Sequence, residues 1–107
     1  MEIWKPNVTV AAVVEQDGRF LVVEEETDDG LRFNQPAGHL EKGESLVAAA
    51  AREVLEETGL TVTRGRLVAV DSRPAKPGRK LGLRFLFDCG IVTPDQAATI
   101  RLQAMEI

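Results

Sequence analysis

A chain of 107 residues with one cysteine has room for a single domain, expected to span residues 1–107, and cannot form an internal disulfide. With 44% hydrophobic and 28% charged residues it is too apolar for a disordered segment, and its net charge of −4 argues against a duplex nucleic-acid binder, which needs a basic face. Met1–Pro6 carries no basic, apolar leader and no run approaches ~18 apolar residues, so the expectations are a cytoplasmic location and no membrane partner.

In chain order, Val8 to Val14 is a near-continuous β-branched and apolar run, which predicts a buried strand. Glu15-Gln16-Asp17-Gly18 follows, and Asp-Gly between apolar runs is a hairpin signal. Arg19 to Glu25 is then the expected return strand, Thr27-Asp28-Asp29-Gly30 a turn, and Leu31 to Asn34 a short strand. Pro36 cannot donate to a ladder, so pairing is expected to stop there and a loop, Ala37 to Glu44, to begin. Ser45 to Thr58 has no Gly or Pro, is rich in Ala and Leu, and ends at Gly59, a C-terminal stop, so a helix is predicted. At 100° per residue Val47, Ala51, Val54, Leu55 and Thr58 fall on one side, expected to pack, and Glu53, Glu56 and Glu57 on the other. Arg66 to Asp71 and Leu81 to Asp88 read as further strands, joined by a basic loop holding Arg73, Lys76, Arg79 and Lys80. Thr93-Pro94-Asp95-Gln96 has the form of a cap, a proline at the first helical position and a capping-box Gln. Ala97, Ile100, Ala104 and Ile107 continue it as the stripe of a closing helix, and Cys89 is expected in the core.

The chemistry lies between Gly38 and Leu60. Like-charged glutamates one helical turn apart repel by roughly 0.2–0.5 kcal/mol per pair, and a merely solvated face mixes signs to avoid this. Concentrating Glu53, Glu56 and Glu57 on one face suits a hard cation with oxygen ligands. Magnesium keeps several waters and binds through a few carboxylates together with substrate phosphates. It would offset substrate charge and acidify an attacking water.

Gly38, Glu44, Arg52, Glu53, Glu56, Glu57 and Gly59, with Val54 and Leu60 at the aliphatic places, match every fixed position of the Nudix box, and the chain resembles that family. Seven positions, each matched by chance roughly 5–7% of the time, do not coincide by accident. The resemblance implies an α/β (α+β) fold, a Nudix-like α/β/α sandwich on a mixed sheet. It also implies a hydrolase acting on phosphoanhydrides with Mg2+ as cofactor and Mn2+ as a substitute. By the same likeness Glu53, Glu56 and Glu57 are the metal carboxylates, with one of them or its bound water as base. The backbone carbonyl of Ala37 or Gly38 adds a ligand, Arg52 orients the glutamates, and Glu44 is a loop-fixing partner whose equivalent touches metal in some members.

Phe33-Asn34-Gln35-Pro36-Ala37-Gly38-His39-Leu40-Glu41, with Val22-Val23-Glu24-Glu25 and Leu83-Arg84-Phe85-Leu86-Phe87, resembles a phosphatase branch of that family. That branch acts on nucleoside di- and triphosphates and on hydroxymethylpyrimidine pyrophosphate, so orthophosphate is the product it implies. Arg84, His39, Arg73 and Lys80 are candidate substrate contacts, and Phe33 and Trp4 candidate stacking partners for a base; packing or a solvated loop is the competing reading for each. The family usually continues for a few dozen residues beyond the strand matching Leu81 to Asp88, so the chain reads as short after about residue 92. Monomer and homodimer both stand. The runner-up function is a non-catalytic nucleotide-binding or interaction module on the same fold, for which three glutamates together have no use.

Overall fold

The computed structural model describes residues 5–27, 30–62 and 65–100. Trp4, the turn residues Asp28 and Asp29, and the stripe positions Ala104 and Ile107 lie outside them. The architecture is mixed α+β, with strands β1 (Asn7–Gln16), β2 (Arg19–Phe20), β3 (Val23–Thr27), β4 (Gly30–Asn34) and β5 (Ala37–His39) before helix α1 (Leu46–Thr58). Strands β6 (Arg66–Arg73) and β7 (Gly82–Ile91) and the short helix α2 (Pro94–Ala97) follow. The main sheet runs β2-β1-β7-β6 with β5 also on β1; only β1 and β7 are parallel, so the sheet is mixed. Among the described residues no helix is long and apolar enough to cross a membrane.

The expected hairpin after β1 forms, with Asp17 at φ 51° and Gly18 at φ 77°, the pair of positive angles that a two-residue turn of matching twist requires. The return strand is not continuous to Glu25 as expected. It pairs with β1 at Glu15 and Gln16, with one further bond from Leu21 N to Val14 O at 2.8 Å, because β5 occupies the same edge of β1 from Thr9 to Ala11. The chain therefore leaves the sheet at Leu21–Val22 and builds a separate two-stranded ribbon, β3–β4.

Pairing does not stop at Pro36 either. The proline lacks an N–H, but its carbonyl accepts from Ala12 N at 2.9 Å, and β5 continues the ladder immediately. The loop begins at Leu40 instead of Ala37.

α1 is capped by Ser45, whose hydroxyl accepts from Ala48 N, and closes at Gly59 with φ 81°. Its buried positions are Ala49, Ala50, Glu53, Val54 and Thr58, while Val47 and Leu55 are exposed. The packing face is thus rotated from the expected one, toward the two alanines. Their small side chains let the helix approach Val10, Ala12 and Val14 of β1, joined in the core by Phe87 and the buried Cys89. Each fully buried Val stabilises by roughly 1.5–3 kcal/mol. Thr58 makes its burial tolerable by donating to Val54 O at 2.6 Å while accepting from Leu60 N at 3.2 Å.

Thr93 and Gln96 form the reciprocal capping box, and Ala97 and Ile100 pack against the core.

Candidate functional site

Strand β5 fixes the site because its two edges face different partners. In an antiparallel ladder alternate residues turn both N–H and C=O toward the neighbouring strand. Pro36 and Leu40 both bond β1, so Gly38 between them faces β1 too, and Ala37 and His39 face away from it. Those outward groups meet α1. Ala37 N donates to Glu57 Oε2 at 3.2 Å, and the His39 carbonyl accepts from Arg52 Nη2 at 3.0 Å. Of the two carbonyls proposed from the family likeness, Ala37's is therefore on the carboxylate side and Gly38's is turned to the ladder.

Arg52 is the hub. Its Nε and Nη2 grip Glu44 at 2.9 and 2.7 Å in a bidentate fork, and Nη1 donates to Glu53 at 2.8 Å and Glu56 at 3.1 Å. Glu41 lies 3.6 Å from Nε. Glu44 also accepts from Glu41 N at 2.9 Å, which ties the loop to the helix. The hydrogen bonds from Arg52, and then that from Glu41 N, hold the Glu44 carboxyl below the usual range. The bonds that Arg52 donates to Glu44, against the opposing effect of burial and with those to Glu53 in support, keep its guanidinium firmly protonated. One cation faces four carboxylates, so the cluster carries excess negative charge.

Glu57 is outside Arg52's reach. Burial, reinforced by the nearby charges of Glu53 and Glu25 and opposed by the Ala37 N–H, pushes its carboxyl up to about 7. Glu53 is buried at 8% exposure, and a Cβ added at Gly38 would fall inside its carboxylate. The glycine therefore makes the cradle in which that carboxylate lies against β5.

As arranged, no three His, Cys, Asp or Glu side chains among the described residues form a ready-made cage, since Arg52 draws Glu53 and Glu56 toward itself. The donor set nevertheless fits a hard divalent cation. It comprises carboxylate oxygens on one helix face, an outward carbonyl at Ala37, a small-residue cradle, and a Glu57 carboxylate disfavoured by burial and then by its like-charged neighbours.

Across β5 from α1, a second feature collects most of the substrate candidates. His39, Arg73, Lys80 and Arg84 line one pocket of about 250 Å³, with Arg79, Asn7 and Thr9. Arg84 is anchored there by Asn34 Oδ1 at 3.2 Å and Gln35 Oε1 at 2.8 Å, while Asn34 Nδ2 donates to Glu25 at 3.1 Å. Phe33 is not in this pocket; it stands 71% exposed on β4. Arg79 belongs to the basic loop expected either to hold phosphates or to be solvated, whereas Asn34 and Gln35 carried no individual role. The two amides carry no periodic signal, and only the fold brings them to an arginine some fifty residues later.

A sequence model of the NUDIX domain matches residues 4–99. The chain is 49% identical over 85 residues to the Phosphatase NudJ of Escherichia coli strain K12, across 79% of this chain and 55% of that protein. The Phosphatase NudJ of Shigella flexneri matches to the same extent. The chain thus spans about half (55%) of the length of the curated relatives it matches. Among solved structures, a NUDIX hydrolase from Nitrosomonas europaea superposes with a TM-score of 0.73 at 44% identity, over 90% of this chain and 68% of that one. A MutT protein from Methanosarcina mazei Go1 superposes with a TM-score of 0.76 at 28% identity, over 96% and 74%. By the domain match, these relatives and the shared fold, the chain belongs to the NUDIX family.

Proposed function

We propose that this chain is a divalent-cation-dependent hydrolase of phosphoanhydrides in small molecules, nucleoside di- or triphosphates or related pyrophosphate compounds, and that it releases orthophosphate. The observation that carries the reading is the carboxylate set Glu53, Glu56 and Glu57 on one face of α1, held against the Ala37–Gly38 segment and organised by Arg52. Glu53, Glu56 and Glu57, with the carbonyl of Ala37, would hold Mg2+, or Mn2+ in its place. When bound, such an ion offsets the charge of the phosphates and increases the acidity of water.

The chain's own groups do the rest. Arg52 fixes the rotamers of Glu53 and Glu56 through charge-assisted bonds and joins them to the loop through Glu44 and the His39 carbonyl. Glu57, one oxygen of which is held by Ala37 N, lies beside Glu53, where the pair can share a proton or hold a cation. A carboxylate of this set takes the proton of the attacking water. The pocket of His39, Arg73, Lys80 and Arg84 receives the part of the substrate beyond the reacting phosphates. Similarity to proteins named Phosphatase NudJ supports orthophosphate as the product.

A panel of nucleotides and pyrophosphate esters tests this, with free phosphate measured in the presence and absence of inorganic pyrophosphatase. Phosphate released without the helper enzyme supports the proposal. Phosphate seen only with it means cleavage that releases pyrophosphate, and the product assignment falls.

A further inference from the structure

The pocket across β5 is unusual in its charge. In a protein of net charge −4, it gathers Arg73, Arg79, Lys80 and Arg84 beside His39. Among the described residues none of these four has a carboxylate within ion-pair distance, although Asp71 is the cross-strand neighbour of Arg84. Cations brought together without an acid repel one another, and an anion is the natural partner.

Two of the cations, Arg79 and Arg84, are also held in place. The loop bearing Arg79 and Lys80 is closed by a pair of backbone bonds, Lys76 N to Arg79 O at 2.9 Å and Arg79 N to Lys76 O at 2.8 Å, around Pro77-Gly78 with Gly78 at φ 79°. Proline followed by a positive-φ glycine is the signature of a tight turn that few other residues permit. Arg79 Nη2 further donates to Pro74 O at 2.8 Å, and Arg84 is anchored by Asn34 and Gln35. This ordering reduces the entropy that a ligand would otherwise have to overcome.

Size and lining decide what kind of ligand fits. At about 250 Å³ the pocket falls just below the ~300–1,000 Å³ usual for whole small-molecule sites, so it takes one group of a larger molecule. Among the described residues its lining contains no Phe, Trp or Tyr, and Leu83 is the one large apolar side chain there, so those residues make a poor seat for a flat base. His39 links it to the carboxylates, since its side chain lines the pocket while its carbonyl bonds Arg52. Ala37 and His39, two residues apart on an extended strand, are separated by roughly 7 Å.

We infer that this pocket binds a phosphomonoester at the end of the substrate remote from the cleaved bond, so that preferred substrates carry phosphate at both ends. The inference rests on the hydrolase reading above and deepens it by naming the substrate class.

Two measurements on the full chain separate the inference from that reading. In EDTA, inorganic phosphate and a simple phosphomonoester are titrated into 15N-labelled protein at constant ionic strength, with wild type and R79Q/K80Q compared. The expected result is saturable shifts at the Thr9, Gly82 and Arg84 amides, weakened about tenfold per charge removed, in a variant whose remaining spectrum is unchanged. In Mg2+, kcat/KM is compared for a nucleoside triphosphate and its 3′-phosphorylated counterpart, with a preference for the latter of at least about tenfold expected in wild type and lost in the variant. Saturable binding without turnover of either compound would support the anion site and remove the hydrolase reading. Turnover without preference, or equal shifts in R79Q/K80Q, would overturn the inference.

Discussion

Replacing Glu57 by Gln probes the cost of a buried carboxylate among like charges at the site through stability alone, without a substrate. In the folded protein the Glu57 carboxyl holds its proton up to about pH 7, against 4.5 for an ordinary glutamate. Between those values the folded state binds more protons than the unfolded one, so stability falls as pH rises through that window and stays low above it. At about 1.4 kcal/mol per pH unit the full difference would be about 3 kcal/mol. Partial exposure of the side chain to solvent reduces this to about 1–2 kcal/mol. Glutamine keeps an oxygen for the Ala37 N–H, which now meets Glu57 Oε2 at 3.2 Å, and carries no charge. In EDTA at pH 8, E57Q should therefore be about 1–2 kcal/mol more stable than wild type in urea unfolding, with unchanged m. At pH 4.5 and below the two should converge. Magnesium should then stabilise wild type and not the variant, closing or reversing the gap. No gain at pH 8, or a gain of equal size at pH 4.5, would refute the reasoning.

Gly38→Ala places a methyl group inside the Glu53 carboxylate and should cost about 1–3 kcal/mol in a thermal melt, with most hydrolysis lost because Glu53 is displaced. Thr58→Val leaves the buried Leu60 N–H without its acceptor and should cost about 1–2 kcal/mol in urea unfolding, with kcat nearly unchanged. Arg52→Lys keeps the charge and loses the fork on Glu44, so hydrolysis should fall at least about tenfold at saturating substrate while the far-UV circular dichroism spectrum is retained.

Much of this was legible in the sequence wherever the signal is local. The Asp17-Gly18 hairpin, the Gly59 stop and the capping box at Thr93 are each set by a few neighbouring residues, and the structure shows all three. The spacing of Arg52, Glu53, Glu56 and Glu57 on a helix was equally plain. What local pattern does not carry is competition between distant segments. Nothing near Leu21 says that β5 will take the edge of β1, so the return strand was extended too far, and Pro36 hid a ladder that needs only its carbonyl. The packing face of α1 was misplaced for a similar reason. Periodicity weighs Val47 and Leu55 above alanines, whereas close approach to β1 selects Ala49 and Ala50. The grouping of His39, Arg73, Lys80 and Arg84 in one pocket likewise depends on the register of four strands, β5, β1, β7 and β6, and appears only in the fold.

The most direct test of the central claim is the initial rate of phosphoanhydride cleavage by folded wild type and E57Q, measured with Mg2+ and with EDTA at one saturating substrate concentration. The account predicts turnover in wild type with Mg2+, none in EDTA, and a loss of at least about a hundredfold in E57Q, equivalent to about 2.7 kcal/mol of transition-state stabilisation. Turnover that survives EDTA, or an E57Q rate near that of wild type, would contradict it.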